Sequence, residues 1–399
     1  MLRKIHRWIG LALILPFALQ GLTGLLLVVL PLLLAGRPAV PAPGSTTAPG
    51  ISAEAMIAAA RSAAPAGTQP LRFDPPRWPG DSAVVAFGPA GERHPEFEVM
   101  VDPAHAAILR THIVPHILRV LHNLHADLLL LPYGQNATGV MGVLLSVMAI
   151  TGLILWWPHP ALWASGKWRR TITISPRARG YRLWRETHLS LGFWTFGIML
   201  FLALSGTVLA FPFARPLFGV QGGDRPAHTR AHHADHTPAI PGEQGLDTAM
   251  AAVQAQMPDA ILTSARLGAR PAEQSFTIIL PAYGPNRPAT VRYDADADTV
   301  RFIRDPGQQR TGELTFMWLH TLHEAKLAGP AVIAGLWRTA VGLAGAALFF
   351  FSLSGGVMWV LRRRAAATRK ARVAAVPDAS GTPDRMQARH ARSRGGNKG

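Results

Sequence analysis

Four long apolar runs punctuate the chain, roughly Trp8–Leu34, Ala137–Trp157, Leu189–Phe213 and Val332–Leu361. Each reaches the length of about 20 residues that a helix needs to cross a bilayer. None contains Asp, Glu or Lys, and only the last contains an arginine, Arg338 near its start. Four such runs predict four membrane spans rather than four core helices of a soluble protein. The period changes after the first and third runs. Residues 52–63 ("SAEAMIAAARSA") and 245–256 ("GLDTAMAAVQAQ") read as short amphipathic helices. Strand-like segments follow each: "LRFD", "SAVVAFG", "EFEVMVD" and "AILRTH" in one set, "LTSARLG", "SFTIILP", "ATVRYD" and "TVRFIR" in the other. Asp-Pro and Asp-Ala turns join the last two segments of each set. A helix followed by antiparallel strands predicts an α+β unit after the first and third spans.

The halves of the chain resemble one another. "HRWIGLALILPFALQGLTGLLL" from His6 overlays "HLSLGFWTFGIMLFLALSGTVL" from His188 at an offset of 182, matching Gly10 with Gly192 and Thr23-Gly24 with Ser205-Gly206. "GVMGVLLSVMAITGLILWW" from Gly139 overlays "GLAGAALFFFSLSGGVMWV" from Gly342 at an offset of 203, matching Thr151-Gly152 with Ser354-Gly355. Between them, "LHNLHADLLL" from Leu121 and "LHTLHEAKLA" from Leu319 carry matching His pairs at an offset of 198. The predicted fold is a four-helix transmembrane bundle from a duplicated two-span unit, each half consisting of span, external domain, His pair and span.

Charge orients this plan. The net charge of +17 suggests a nucleic-acid partner until it is located. Lys and Arg concentrate before the first span (Arg3, Lys4, Arg7), in the loop 158–187 (seven, against Glu186 alone) and from Arg362 onward (eleven, against Asp378 and Asp384). These segments fall on one side of a four-span chain. The positive-inside rule makes that side, with both termini, cytoplasmic. An anionic lipid leaflet is a sufficient partner for the charge, and nucleic acid is not expected. The apolar run at the N-terminus is too long for a signal peptide and reads as an uncleaved anchor, although "AVPA" at 39–42 resembles a cleavage site. The chain has no cysteine, which excludes thiolate-bound iron–sulfur clusters and thioether-attached haem. No Gly-rich dinucleotide loop follows a strand in the cytoplasmic loop.

Histidine carries the remaining chemistry. His6 and His188 border spans one and three on the cytoplasmic side. His122, His125, His320 and His323 border spans two and four on the other side. Residues three apart share a helix face, so both members of each pair can point the same way. Any one of these is most simply a polar residue at the bilayer interface. Recurrence in both halves supports a sharper reading, in which imidazoles from the two halves face each other as axial ligands of b-type haem. His6 and His188 would serve an inner site and His125 and His323 an outer one, with His122 and His320 as alternatives and His159 a spare. Cations near the borders (Arg3, Arg7, Arg185, Arg119, Arg338) are candidate partners for haem propionates or plain topology charges. The Ser/Thr-Gly pair in every span reads as a small patch for helix packing or for a flat haem edge. Direct zinc or copper binding by the His pairs stays open. So does weak metal binding by His228, His232, His233 and His236, where a flexible loop is the plainer reading.

The motifs H-R-W-x-G opening span one with T-G within it, and "LHADLLL" before a span ending "TGLILWWP", resemble the PepSY-associated transmembrane proteins, often called iron-regulated membrane proteins. The resemblance covers about residues 1–361, and "LHEAKLAG" departs from it by losing the leucine run. It implies two external PepSY-like domains and location in the bacterial inner membrane. It further implies a likeness to ferric-siderophore reductases that hold two haems in a four-helix bundle. Substrate and partners would be a ferric siderophore or other ferric chelate outside, and membrane quinol or a cytoplasmic reductase as electron donor. The organisation expected is a first span at 1–34, external domain 35–116, His-pair helix and second span 117–157, and basic loop 158–187. The third span at 188–213, external domain 214–313, His-pair helix and fourth span 314–361, and disordered basic tail 362–399 complete it. Two other functions compete: a non-enzymatic regulatory module acting through the PepSY-like domains, and a copper or iron permease. Reporter fusions after Gly180 and Lys370 are expected to read cytoplasmic, and fusions in 45–50 and 240–245 external; an external reading at Gly180 would invert the second half and end the duplicated plan.

Overall fold

The computed structural model describes residues 1–34, 51–77, 80–90, 94–220, 243–268 and 274–374. The His228–His236 cluster and the "AVPA" motif lie outside the described residues. The chain opens with α1 (Leu2–Ala12) and α2 (Ile14–Leu34). One apolar run was expected to form one helix; the break at Leu13 has its cause in Pro16. That residue has no amide hydrogen, and its ring crowds the carbonyl of Ala12 one turn back. Then come α3 (Ala53–Arg61), β1 (Thr68–Asp74), β2 (Ala83–Pro89), β3 (Phe97–Val101), β4 (Ile108–Ile113), α4 (His116–Asp127) and α5 (Gly134–Trp156). A loop carrying α6 (Pro160–Ala164) and a 3-10 turn at Lys167–Thr171 leads to α7 (Gly180–Ala210) and α8 (Ala214–Leu217). The second half continues through α9 (Leu246–Gln256), β5 (Ile261–Arg266), β6 (Ser275–Ile279), β7 (Ala289–Asp294), β8 (Thr299–Arg304), α10 (Thr311–His323) and α11 (Ala331–Ala374).

Four of these helices, α2, α5, α7 and α11, are long and apolar enough to cross a membrane. The helix α11 passes the expected end of the fourth span and runs to Ala374, so residues 362–374 are helical rather than disordered. Alanine and arginine are strong helix formers, and "RRRAAATRKARVA" continues the span without a breaker. The remaining residues of the tail lie outside the described part.

Small residues set how the spans meet. A Cβ on Gly21 of α2 would come within 2.6 Å of the Phe349 amide nitrogen and 2.7 Å of the Gly345 carbonyl oxygen on α11. One on Gly142 of α5 would collide with Thr207 Oγ1 and lie 3.1 Å from the Ala203 carbonyl oxygen on α7. Such close backbone approach is how helices associate where lipid tails remove the hydrophobic drive. Each contact joins a span from the first half of the chain to one from the second.

All eight strand-like segments form strands, in one antiparallel sheet of order β4-β3-β2-β1-β5-β6-β7-β8. The two expected domains therefore share a sheet. Their junction is short: Arg72 pairs with Arg266 and Phe73 with Ala265, and the Leu267 amide donates to the Leu71 carbonyl at 2.9 Å. Pairing β1 with β5 hides two edges that separate units would expose. Ile57 of α3 and Leu246 of α9 bury completely with Phe73, Val85, Phe276 and Ile278 of the strands. The two helices also cap each other. Asp247 accepts from the amides of Ala53 (2.6 Å) and Glu54 (3.2 Å), and Glu54 accepts from the Asp247 amide (3.4 Å). Carboxylates at helix N-termini satisfy amides that have no partner within the helix.

Gly21→Ala drives a methyl group into backbone rather than into a movable side chain. It is expected to cost about 1–3 kcal/mol in reversible unfolding from detergent micelles. Gly192→Ala, whose added Cβ meets nothing within 4 Å, is expected to leave stability unchanged; equal effects would refute the packing account.

Candidate functional site

The bundle interior contains a motif built four times. His6 Nδ1 lies 2.9 Å from Thr151 Oγ1 on α5, and His125 Nδ1 lies 2.9 Å from Thr23 Oγ1 on α2. His188 Nδ1 lies 2.7 Å from Ser354 Oγ on α11, and His323 Nδ1 lies 2.9 Å from Ser205 Oγ on α7. Every hydroxyl belongs to a Ser/Thr-Gly pair and is buried. Each histidine is bonded to a span of its own half of the chain.

The hydroxyls decide which histidine nitrogen is free. Thr23 donates its hydrogen to the Leu19 carbonyl at 2.8 Å, Thr151 to Val147 at 2.7 Å and Ser205 to Phe201 at 2.8 Å. Ser354 donates to the Phe351 carbonyl at 3.1 Å. This bonding to the preceding helical turn is a usual resource of Ser and Thr in helices. A hydroxyl has one hydrogen, so each can only accept from the imidazole. Each histidine then carries its hydrogen on Nδ1 and presents the lone pair of Nε2. Holding one ring nitrogen by a hydrogen bond is how proteins fix an imidazole for metal ligation through the other.

In three of the four cases the glycine that follows the hydroxyl makes room for the ring. A Cβ on Gly24 would lie 3.2 Å from His125 Cε1, one on Gly206 2.9 Å from His323 Cε1, and one on Gly152 3.3 Å from His6 Cε1. At Gly355 such an atom would meet nothing within 4 Å. The sequence suggested these glycines as a surface for helix packing or a haem edge. At three of the four, the neighbour is the histidine ring itself.

His125 and His323 meet across the bundle. The rings of His125 and His323 have their centres 6.4 Å apart and their planes inclined at 48°. A metal between two Nε2 atoms needs two bonds of about 2 Å with roughly 1 Å of ring on each side, or about 6 Å between ring centres. The donor set and spacing therefore fit an iron held by two neutral imidazoles, as in a b-type haem. Burial pushes the pKa of His125 down to about 3 and that of His323 to about 4, so both are neutral at physiological pH. Gln20 donates to the His125 carbonyl at 2.9 Å and ties α4 to α2. At the other end the His188 ring packs edge-on against Phe351 at 5.0 Å. His188 and Ser205 are about 25 Å apart along α7, given 1.5 Å per residue. An apolar core that includes Phe17, Met141, Met199 and Leu348 packs between the spans.

The other sequence candidates do not enter this arrangement. His122 and His320 are exposed, and His320 bonds Glu324 at 2.9 Å. His159 is exposed and accepts from the Ala161 amide at the start of α6. Arg119 pairs with Glu96 at 3.7 Å, and Arg7 lies over the Trp8 ring. Arg338 makes no ion pair among the described residues. No group of three or more His, Cys, Asp or Glu converges among the described residues.

The model of the PepSY-associated TM region matches residues 3–362. The chain belongs to this family. It is thus a membrane protein of the PepSY-associated class, with four transmembrane helices and an eight-stranded sheet region between them in sequence. A search of curated proteins finds no match.

Sequence reasoning missed the hydroxyls of the Ser/Thr-Gly pairs as histidine partners. The signal was available, since the hydroxyl-glycine pair recurs in all four spans as the histidines recur at their borders. Thr23→Val is expected to strand the Nδ1 hydrogen of His125 and to cost about 1–3 kcal/mol in thermal or denaturant unfolding. Thr23→Ser restores the acceptor and is expected to recover most of the loss. A valine variant as stable as the serine one would mean that the hydroxyl is not this hydrogen's partner.

Proposed function

We propose that the protein transfers electrons across the bacterial inner membrane to a ferric chelate, most simply a ferric siderophore, on the side that bears the sheet. In this reading the chain is a duplicated two-span unit with both termini cytoplasmic and the sheet in the periplasm. His6 and His188 hold one b-type haem and His125 and His323 hold the other. When bound, these groups supply reversible one-electron chemistry near opposite faces of the bilayer. The observation that carries the reading is the facing pair His125–His323 at 6.4 Å, each ring with its Nδ1 committed to a buried hydroxyl. Neutral imidazoles and buried hydroxyls bring no net charge into the bundle, which avoids the large cost of an isolated ion in hydrocarbon. Siderophores bind Fe(III), the harder ion, far better than Fe(II), so a one-electron reduction weakens the chelate.

The chain has no cysteine and carries no Gly-rich dinucleotide loop. The electron donor is therefore separate, a membrane quinol or a cytoplasmic reductase. Purified protein is expected to show a reduced b-type α-band. His6→Ala and His188→Ala are expected to remove the same half of that signal, and His125→Ala and His323→Ala the other half. Right-side-out vesicles with an internal reductant are expected to form Fe(II) from an external ferric chelate, trapped by an impermeant Fe(II) ligand, and His188→Ala to abolish this. No haem signal at all would replace the proposal by the regulatory-module reading.

A further inference from the structure

Arginine–aromatic pairs gather at one end of the bundle. Arg7 stands over Trp8 at 5.5 Å, Arg169 over Trp168 at 6.0 Å, Arg362 over Tyr181 at 5.0 Å and Arg363 over Trp359 at 4.3 Å. All four lie at the end away from the sheet, where α5 stops and α7 begins. An arginine over an aromatic face gains about 0.5–1 kcal/mol at an exposed site and keeps its outer N–H groups free for an anion.

The loop between α5 and α7 is the most built part of this end. Its backbone is pinned to both spans. Trp156 Nε1 donates to the Thr171 carbonyl at 3.4 Å, and Ser190 Oγ and Trp194 Nε1 both donate to the Ile172 carbonyl, at 2.7 and 3.2 Å. The Ser175 amide donates to Glu186 at 3.0 Å. Indoles packed against one another at tilted angles line it, with Trp157 and Trp163 at 5.7 Å and Trp163 and Trp168 at 4.8 Å. Trp157 and Trp163 are still 62% and 36% exposed, as side chains at the level of lipid headgroups are. The 3-10 turn then presents Lys167, Arg169 and Arg170, all exposed. The one acid of the loop region, Glu186, is taken by Arg182 at 2.6 Å. Lys167, Arg169 and Arg170 make no ion pair among the described residues.

We infer that this turn is a binding site for the headgroup of an anionic phospholipid, with the phosphate on Lys167, Arg169 and Arg170 and the glycerol backbone against Trp157 and Trp163. The covalent attachment to two spans fixes the patch at the bilayer surface. Exposed indoles beside the cations match a lipid better than a soluble anion, which has no apolar part to place against them. The site is independent of the histidine pairs and stands whether or not they hold haem.

The test is native mass spectrometry of the full chain released from micelles holding equal amounts of phosphatidylglycerol and phosphatidylcholine. Phosphatidylglycerol is expected to be retained preferentially. Each of Lys167→Gln, Arg169→Gln and Arg170→Gln is expected to lower its retention about fivefold, the loss when one cation leaves an anionic surface. The triple variant is expected to retain both lipids alike. Equal retention by the unchanged protein, or undiminished preference in the triple variant, overturns the inference. Should the triple variant not fold, Arg170→Gln alone combined with release of the lipid by added salt on the unchanged protein decides the matter. Millimolar inorganic phosphate is expected not to displace the lipid; complete displacement would make this a soluble-anion site and overturn the assignment.

Discussion

A hydroxyl has a single hydrogen, and inside a bilayer it has no water to share it with. In all four spans that hydrogen goes to a carbonyl of the preceding turn. Everything distinctive about the bundle follows from the acceptor left over. It fixes the tautomer of one imidazole and leaves Nε2 free, and in three of the four spans the ring lies beside the next glycine. A cysteine or an alanine in place of the hydroxyl would break the chain of consequences at its first link. The arrangement needs no ionised group, which suits a site held among apolar helices.

Two kinds of contact interlock the halves. Histidine–hydroxyl bonds stay within a half, from His6 to Thr151 and from His323 to Ser205, for example. Close glycine contacts run between halves, from α2 to α11 and from α5 to α7. The facing of His125 and His323 requires both, because one ring is positioned from α2 and the other from α7.

The spans and strands were legible because their signals are periodic and local. Twenty apolar residues or an alternating run needs no knowledge of the rest of the chain. The two helices capped on each other were visible only as separate helices, since Asp247 reaches Ala53 across the fold. Within "LHNLHAD" and "LHTLHEA", spacing places both histidines on one face; only packing shows that His125 and His323 turn inward while His122 and His320 are exposed. Thr and Ser in the spans read as small residues because sequence does not reveal which hydroxyls have a ring beside them. The junction of the sheet was invisible for a related reason: β1 and β5 meet through only two residue pairs, with nothing in either strand to announce the partner.

That junction has a consequence for how the protein is made. Strands β1 to β4 form a meander from neighbouring segments, as do β5 to β8. Each is rich in local contacts and assembles without distant loop closure. The edge of β1, however, has no partner until β5 emerges from the ribosome, after α5 and α7 have been threaded into the bilayer. Through that interval one edge of β1 keeps its hydrogen-bonding groups unpaired, which is the state most open to capture by another chain. The order of synthesis thus makes the arrival of β5, after the third span, the event that closes the sheet.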